Sequence, residues 1–426
     1  MAARELERAV EFHERVYGKR PDLVVSVPGR LDFLNTHQDY KGLPVVGVAV
    51  NRRLYLAASR GGTEIRLASL NLKLEGRRFT DRFPPGSPGL VGGRWFGDYV
   101  RASVKALSLA GYGVEPLELS VSSEVPMGAG MASSAALSVA AVAALSRAAG
   151  YRLGLGELAE IAYVAERHVM GVPCGRLDQY TVSYGGVVLV KTREPVEVER
   201  LGQLESAIIV ADTGIRHSTG EIHPSRQGEI NEALRLLRAS GGIPSSLAEK
   251  LGEDYASTKW DQITVEELAR IKSLLPSKLY KRLAYTVLAH ESTLEAIKVL
   301  RGGKIDSAKA SSWAQEVNNW AGLELYDVSS PPIGIEALGL IATYQHYLLS
   351  SLYEVSLERL DEIVVSMVEA GALGAKLSGA GLGGAVMGLS EDSKAVRVAR
   401  LLGRESGLSG VHLVSVDDGV RFHWHP

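Results

Sequence analysis

Residues 124–137 read Glu-Val-Pro-Met-Gly-Ala-Gly-Met-Ala-Ser-Ser-Ala-Ala-Leu, a glycine-rich turn that runs into an alanine-rich segment. The pattern predicts a helix from Ser133 to about Gly150, with Gly128, Ala129, Gly130 and Ala132 in the loop before it. Such a junction can hold an anion. Glycines let the backbone come close to a phosphate and take positive φ. The first N–H groups of a helix have no internal partner, and its dipole adds partial positive charge there. Ser133 and Ser134 bring hydroxyls that bond phosphate oxygen or ligate a hard cation. A small-residue helix start packed on a sheet would use the same composition.

Two other segments bear on that choice. One is Pro28-Gly29-Arg30-Leu31-Asp32-Phe33-Leu34-Asn35-Thr36-His37-Gln38-Asp39-Tyr40-Lys41-Gly42. The other is Lys376-Leu377-Ser378-Gly379-Ala380-Gly381-Leu382-Gly383-Gly384-Ala385. Gly379, Gly381 and Gly384 formally satisfy G-x-G-x-x-G, but a dinucleotide loop must open a helix, and residues 385–389 read as a strand. A tight hairpin-like turn beside the phosphate loop fits better. No Walker A pattern occurs, so phosphate binding falls to residues 128–134.

In this order and at these distances the three motifs resemble the GHMP small-molecule kinase superfamily, and within it the galactokinases most. Residues 165–179, including Cys174, Gly175, Arg176 and Asp178, resemble the catalytic-base segment of that family. Residues 95–99, 216–218 and 352–356 match further pieces, so the likeness covers nearly the whole chain. It implies an ATP- and Mg2+-dependent kinase that phosphorylates the anomeric hydroxyl of a monosaccharide. Asp178 would take the proton, and Arg30 beside it would offset charge on the transferring group. Ser134 and Glu166, the latter twelve positions before Asp178, would hold magnesium. His37 and Asp39 match residues that bond sugar hydroxyls, and Trp95 lies on the nucleotide side. Each has a plainer reading: a capping or turn aspartate, a surface salt bridge, a solvated glutamate, a core aromatic.

The chain departs from the family at the sugar. Thr36 stands where galactokinases carry the Glu that contacts the primary hydroxyl, Gln38 replaces Thr, and Arg176 replaces an apolar side chain. His223 takes the place of an expected tyrosine. These departures leave galactose, a galactose-related uronic acid, a pentose or an amino sugar open. One expectation is that Arg176 or His223 pairs with a carboxylate or polar group at the far end of the sugar. Another alcohol substrate of the superfamily is an alternative, as is a non-catalytic sugar sensor, although the retained Ser133-Ser134-Ala135 and Asp178 argue for catalysis.

The elements that must position these groups follow from patterning. The chain has 426 residues, 46% hydrophobic and 23% charged, with net charge −2. That is ordinary for a globular protein and gives no push toward nucleic acid or an anionic membrane. The single cysteine, Cys174, excludes an intrachain disulfide and a multi-cysteine zinc site and suits a reducing cytoplasm. Arg4, Glu5, Glu7 and Arg8 come too early for a signal-peptide core, and no apolar run is long enough for a bilayer. Helices are expected over 3–17, 95–110, 133–150 and 155–169, and strands over 23–27, 45–59, 63–67, 117–125 and 185–191. The charged stretch 192–204, with Pro195, reads as a boundary between domains 1–203 and 204–426. Helical patterns then dominate to about 370, with strands near 207–211, 385–389 and 410–416. The interleaving lacks a regular βα alternation, so the fold class is α+β. The resemblance implies two lobes: an N-terminal one with a ribosomal-protein-S5-like element, and a C-terminal α+β sandwich. The chain is expected to be a monomer or homodimer.

Overall fold

The computed structural model describes residues 2–86, 88–93, 95–216, 219–404 and 407–424. Two sheets dominate. The first has the order β12-β1-β2-β5-β3-β4, with β6 on the far part of β2 and β7 on β6. Its strands are β1 (Leu23–Leu34), β2 (Val45–Arg60), β3 (Ile65–Ser69), β4 (Thr80–Phe83), β5 (Leu117–Ser123), β6 (Val187–Lys191), β7 (Glu197–Leu201) and β12 (Arg421–Trp424). Every pair is antiparallel except β3 with β5. The second sheet runs β11-β8-β10-β9, with β8 (Ala207–Asp212), β9 (Gly374–Ser378), β10 (Ala385–Ser390) and β11 (Gly410–Val414).

β1 is buried along its whole length, and its sequence is accordingly close to a continuous apolar run. Its register against β2 shifts between Pro28 and Gly29 and again between Asp32 and Leu34. β12 pairs only with Leu23 to Ser26, so Pro28 falls where that neighbour has ended and no ladder donor is needed on that side. Between the two shifts Arg30 and Asp32, two apart, share one face. The helix Ser133–Ala148 lies on this sheet and under the helices Phe96–Leu109 and Leu155–Val164. It is buried on all sides from Ala135 to Ser146, which explains why it is alanine-rich rather than amphipathic. In the second sheet Ile208 and Val210 face the helices Ser277–Leu300 and Gly334–Leu348, while Ile209 and Ala211 face Glu358–Glu369. The two sheets meet where β1 contacts β9.

Most expected elements are present within a few residues. Three differ. The stretch 192–204 contains β7, hairpinned to β6, and does not read as a bare linker. A cut at 203/204 separates the two sheets except for β12, which returns to pair with β1, so the second unit does not run unbroken to the last strand. The expected helix 155–169 ends in a wide turn, Ala165–Val169, with π-type spacing. β4 and β9 are too short to show a pattern of their own, whereas the helix Asp392–Leu402 buries Ala395, Val398 and Leu402 on one amphipathic face and was overlooked in the sequence.

Candidate active site

A cavity of about 860 Å³ lies between the two lobes. It is lined by β1 at Arg30 and Asp32, the loop at Thr36 to Asp39, residues 127–134, Glu166, Asp178 and the turn at 378–384.

Asp178 sits in the first turn of the helix Leu177–Tyr184, which rests on Gly47 of β2. A Cβ at Gly47 would stand 2.1 Å from Thr181 Oγ1, so only glycine lets the helix come this close. Arg30 donates from Nε to Asp178 Oδ1 at 2.7 Å and pairs through a terminal nitrogen with the same oxygen at 2.5 Å. Its other terminal nitrogen donates to the Gly130 carbonyl at 2.8 Å. One guanidinium therefore ties the carboxylate to the glycine loop. Both bonds use Oδ1, which leaves the second oxygen for a substrate proton. Burial works against the charge of Arg30, but Asp178 and Asp32 beside it outweigh that and raise its pKa.

The glycine loop has the geometry of an anion site. Gly128 and Gly130 both take φ of +70°, and Ala132, the residue before the helix, is left-handed at +56°. No side chain caps the helix, so its first N–H groups face the loop. A Cβ at Gly130 would lie 2.3 Å from the Ser378 carbonyl, which shows how tightly the loop packs on the second lobe. Gly379 (φ +93°) touches Gly130, and Gly381 (φ +89°) would clash with the Val355 carbonyl if it had a Cβ. Residues 379–384 close the antiparallel β9–β10 pair, so they form a hairpin turn and open no helix. Ala129 is buried, and Ser133 and Ser134 line the cavity.

Glu166 is 3% exposed. Burial pushes its carboxyl up to about 7; the Gln179 amide and the Ser138 and Ser134 hydroxyls pull it down, and Asp178 adds to the rise. Gln179 Nε2 donates to it at 3.0 Å. None of the hydrogen-bonding groups is a cation. Ser134 and Glu166 thus offer two hard oxygen donors at the mouth of the loop, a set that fits Mg2+, which takes few protein ligands beside phosphate oxygens.

Trp95 lines the cavity with Phe96, Tyr99, Leu90 and Val91. Its indole N–H donates to Asp81 at 2.8 Å, and Arg78 stacks 4.3 Å from its ring. That anchors an apolar wall suited to a flat base.

At the other end, Asp39 accepts from the Tyr40 and Leu177 N–H groups. A Cβ at Gly175 would stand 2.0 Å from the Asp39 carboxylate, so Gly175 is small because Asp39 lies on it. Burial, then the charge of Asp178, raises the Asp39 carboxyl to about 6. Asn35 and His37 hold left-handed backbone, φ 66° and 63°, a strain of about 1–2 kcal/mol for an ordinary residue. His37 Nε2 lies 2.9 Å from the Ala380 carbonyl, so that nitrogen carries the proton; burial, then His223, keeps the ring neutral. His223 Nδ1 lies 2.6 Å from the Pro173 carbonyl, which leaves Nε2 as an acceptor, and burial lowers its pKa. Its ring is 4.8 Å from that of His37. Cys174 lines the same wall, and burial pushes its thiol well above the ordinary value.

Of the residues expected here, Ala129 is buried beneath the lining and Arg176 turns away. It pairs with Glu160 and Glu194 and stacks on Tyr163, outside the cavity lining. The expectation that it reaches the sugar is corrected: Glu160 has taken it. Three residues that sequence reasoning did not single out belong to the site. Asp32 lines the cavity, Lys376 is fully buried behind Thr36, and Arg216 lies over Gly128 while gripping Asp212 through both terminal nitrogens. The signals were an aspartate inside an apolar strand, a lysine in another, and an arginine within a matched segment. His217 and Ser218 of that segment lie outside the described residues.

Family models match three stretches: the galactokinase galactose-binding signature at 11–60, the GHMP kinase N-terminal domain at 98–186 and the GHMP kinase C-terminal domain at 334–407. A galactokinase of Thermotoga neapolitana is 30% identical over 375 residues, covering 86% of this chain and 89% of that one. The chain belongs to the galactokinase family of GHMP kinases. A galactokinase of Thermococcus kodakarensis is 28% identical, over 88% and 91% of the two chains. Lactococcus lactis galactokinase complexed with galactose superposes with a TM-score of 0.76 at 21% identity, covering 98% and 99%, and a Methanococcus jannaschii mevalonate kinase with 0.61 at 17%, covering 93% and 98%. These two share the fold. As a member of the family the chain is an ATP-dependent sugar kinase acting at the anomeric position, with the sugar left open. Among the described residues no helix is long and apolar enough to cross a membrane.

Proposed function

We propose that this kinase transfers the γ-phosphoryl group of ATP to the 1-hydroxyl of a monosaccharide through Asp178, held by Arg30, with the phosphates on residues 128–134. The observation that carries the assignment is the Arg30 bridge from Asp178 to the Gly130 carbonyl, 2.7 and 2.8 Å, which joins a proton acceptor to an anion loop in one cavity. Asp178 accepts the hydroxyl proton as the bond to phosphorus forms. Arg30 keeps that oxygen pair aimed and places positive charge beside the reacting group. The helix N–H groups and Arg216 bind phosphate oxygens. Ser134 and Glu166 would hold Mg2+, which supplies charge neutralisation on the phosphates when bound. Leu90, Val91, Trp95 and Phe96 cover the base.

Which sugar is taken turns on what meets Thr36. Thr36 Oγ1 accepts from Lys376 Nζ at 2.9 Å, so its own proton points to another partner and it acts as a donor where a Glu would accept. The test is ADP release with ATP and Mg2+ across galactose, glucose, arabinose, fucose, galacturonate and amino sugars, with Asp178→Asn as control. Turnover with one sugar that is lost in the variant supports the reading; turnover that survives in the variant refutes the role of Asp178. Thr36→Glu should shift kcat/KM toward galactose relative to arabinose by about tenfold. No relative gain removes Thr36 as the selector.

A further inference from the structure

The sugar end of the cavity holds a carboxylate that no catalytic role uses. Asp32 is 5% exposed, and what surface it keeps lines the cavity. Its Oδ1 is buried without a hydrogen-bond partner among the described residues. Native proteins rarely leave a buried carboxylate oxygen unanswered, because the desolvation cost is not offset. The backbone around it is settled: the Asp32 N–H donates to Ser378 Oγ at 3.1 Å. Oδ1 itself is closed off, so the carboxylate meets a ligand through the small surface it keeps on the cavity.

The neighbouring cations are already committed. Lys376 is fully buried, and its three protons go to the Asp32 carbonyl at 2.8 Å, Thr36 Oγ1 at 2.9 Å and the Leu377 carbonyl at 2.9 Å. An ammonium has no fourth donor. Arg30 gives three of its five N–H groups to Asp178 and Gly130, and its charge lies against Asp178. Burial raises the Asp32 carboxyl; Lys376, then Arg30, pull it back by charge, while Lys376 has no proton left for an incoming anion. What faces a sugar here is an excess of acceptors: Asp32, Asp39, Asp178 and His223 Nε2.

We infer that Asp32 is a specificity-determining residue, a carboxylate that takes a hydrogen-bond donor of the substrate, so that this kinase accepts neutral or ammonium-bearing sugars and excludes sugars carrying a carboxylate. This rests on the reading of the cavity as the sugar site of a kinase. An uncharged polyol donates a hydroxyl proton to the Asp32 carboxylate where it lines the cavity, and an amino sugar does so with an N–H and adds a charge match. A uronate brings a second carboxylate against an acceptor-rich wall, where like charges in a poorly solvated site repel strongly. Arg167 is the one cation that complicates this: it lies near Cys174 and His223, although it does not line the cavity.

The experiment measures kcat/KM for galactose, galactosamine and galacturonate, and their affinities by calorimetry without ATP, for the native enzyme and for Asp32→Asn and Arg167→Ala. In the native enzyme galacturonate should fall about 100-fold or more below the better of the other two. Asp32→Asn, an isosteric change checked by its melting temperature, should raise KM for galactosamine about 10- to 100-fold, raise it less for galactose, and narrow the gap to galacturonate, with kcat little changed. Galacturonate within about threefold of the best sugar overturns the inference, as does a folded Asp32→Asn with unaltered KM values and ranking. So does galacturonate use in the native enzyme that vanishes in Arg167→Ala. If no sugar releases ADP, the kinase reading fails, yet the calorimetric ranking still decides the role of Asp32. Absence of binding by every sugar overturns both.

Discussion

At the phosphate-loop end of the cavity a ligand meets main-chain N–H groups, two serine hydroxyls and a run of small residues, nearly all from one stretch of chain, 128–134. At the sugar end it meets the side chains of Arg30, Asp32, Thr36, Asp39, Asp178 and His223, brought from β1, a strained loop, a short helix and the second lobe. The first end is local and generic. Any phosphate satisfies it, and its parts need only the right backbone. The second end is assembled, and its side chains are held by partners from far along the chain. A superfamily of kinases can therefore keep one end while the other drifts, and the departures at Thr36 and His223 fall where drift is expected.

Four substitutions break or sharpen that contrast. Asp178→Asn removes the proton acceptor and keeps the shape, so kcat should fall about 10³- to 10⁴-fold with ATP affinity unchanged; steady-state rates beside nucleotide titration check it. A fall below tenfold would take the assembled end out of the chemistry.

Gly130→Ala attacks the local end. A β-carbon there needs positive φ and meets the Ser378 carbonyl, so stability should drop by about 2–3 kcal/mol and ATP affinity about 100-fold. Denaturant melts and nucleotide binding report the two effects. Loss of stability without loss of affinity would make the loop a packing joint only.

Asp39 links activity to pH. Its carboxyl is raised to about 6, so the charged form that accepts sugar hydroxyls is lost as pH falls through 6. At saturating Mg2+, kcat/KM should decline below that pH, and Asp39→Asn should lower it about 10- to 100-fold at pH 8 and flatten the limb. An unchanged limb in the variant assigns the titration elsewhere.

Arg176→Ala should do least. The residue serves Glu160 and Glu194 in a partly solvated cluster, so about 1 kcal/mol of stability is at stake and sugar ranking should stay put. A changed ranking would return Arg176 to the site.

Much of the site was legible in the chain because its parts are written in contiguous runs. The glycine loop followed by an alanine helix marks a helix start by composition alone, and the structure has that helix at Ser133–Ala148. The turn 379–384 was separable from a dinucleotide loop because a strand, not a helix, follows it. Asp178, Glu166, His37 and Asp39 were found through a family pattern, since a single carboxylate in a helix or loop carries no signal of its own. Arg176 shows the limit. Its type and its place two residues before Asp178 pointed to the sugar, but a helix start turns successive side chains in different directions, and Glu160, sixteen residues upstream, is what it meets. Asp32 and Lys376 show the converse. Each sits in an apolar strand, where sequence reads only burial, and they come together because β1 packs against β9 across 344 residues of chain.

The residues alone dictate local geometry: where a helix starts and where a glycine turn falls. These depend on sterics and hydration within a few residues. Only the tertiary structure decided which charges are free and which are spent. That depends on distances between groups far apart in the chain, and in this cavity it took all three protons of Lys376, set Arg30 against Asp178 and left Asp32 Oδ1 without a partner.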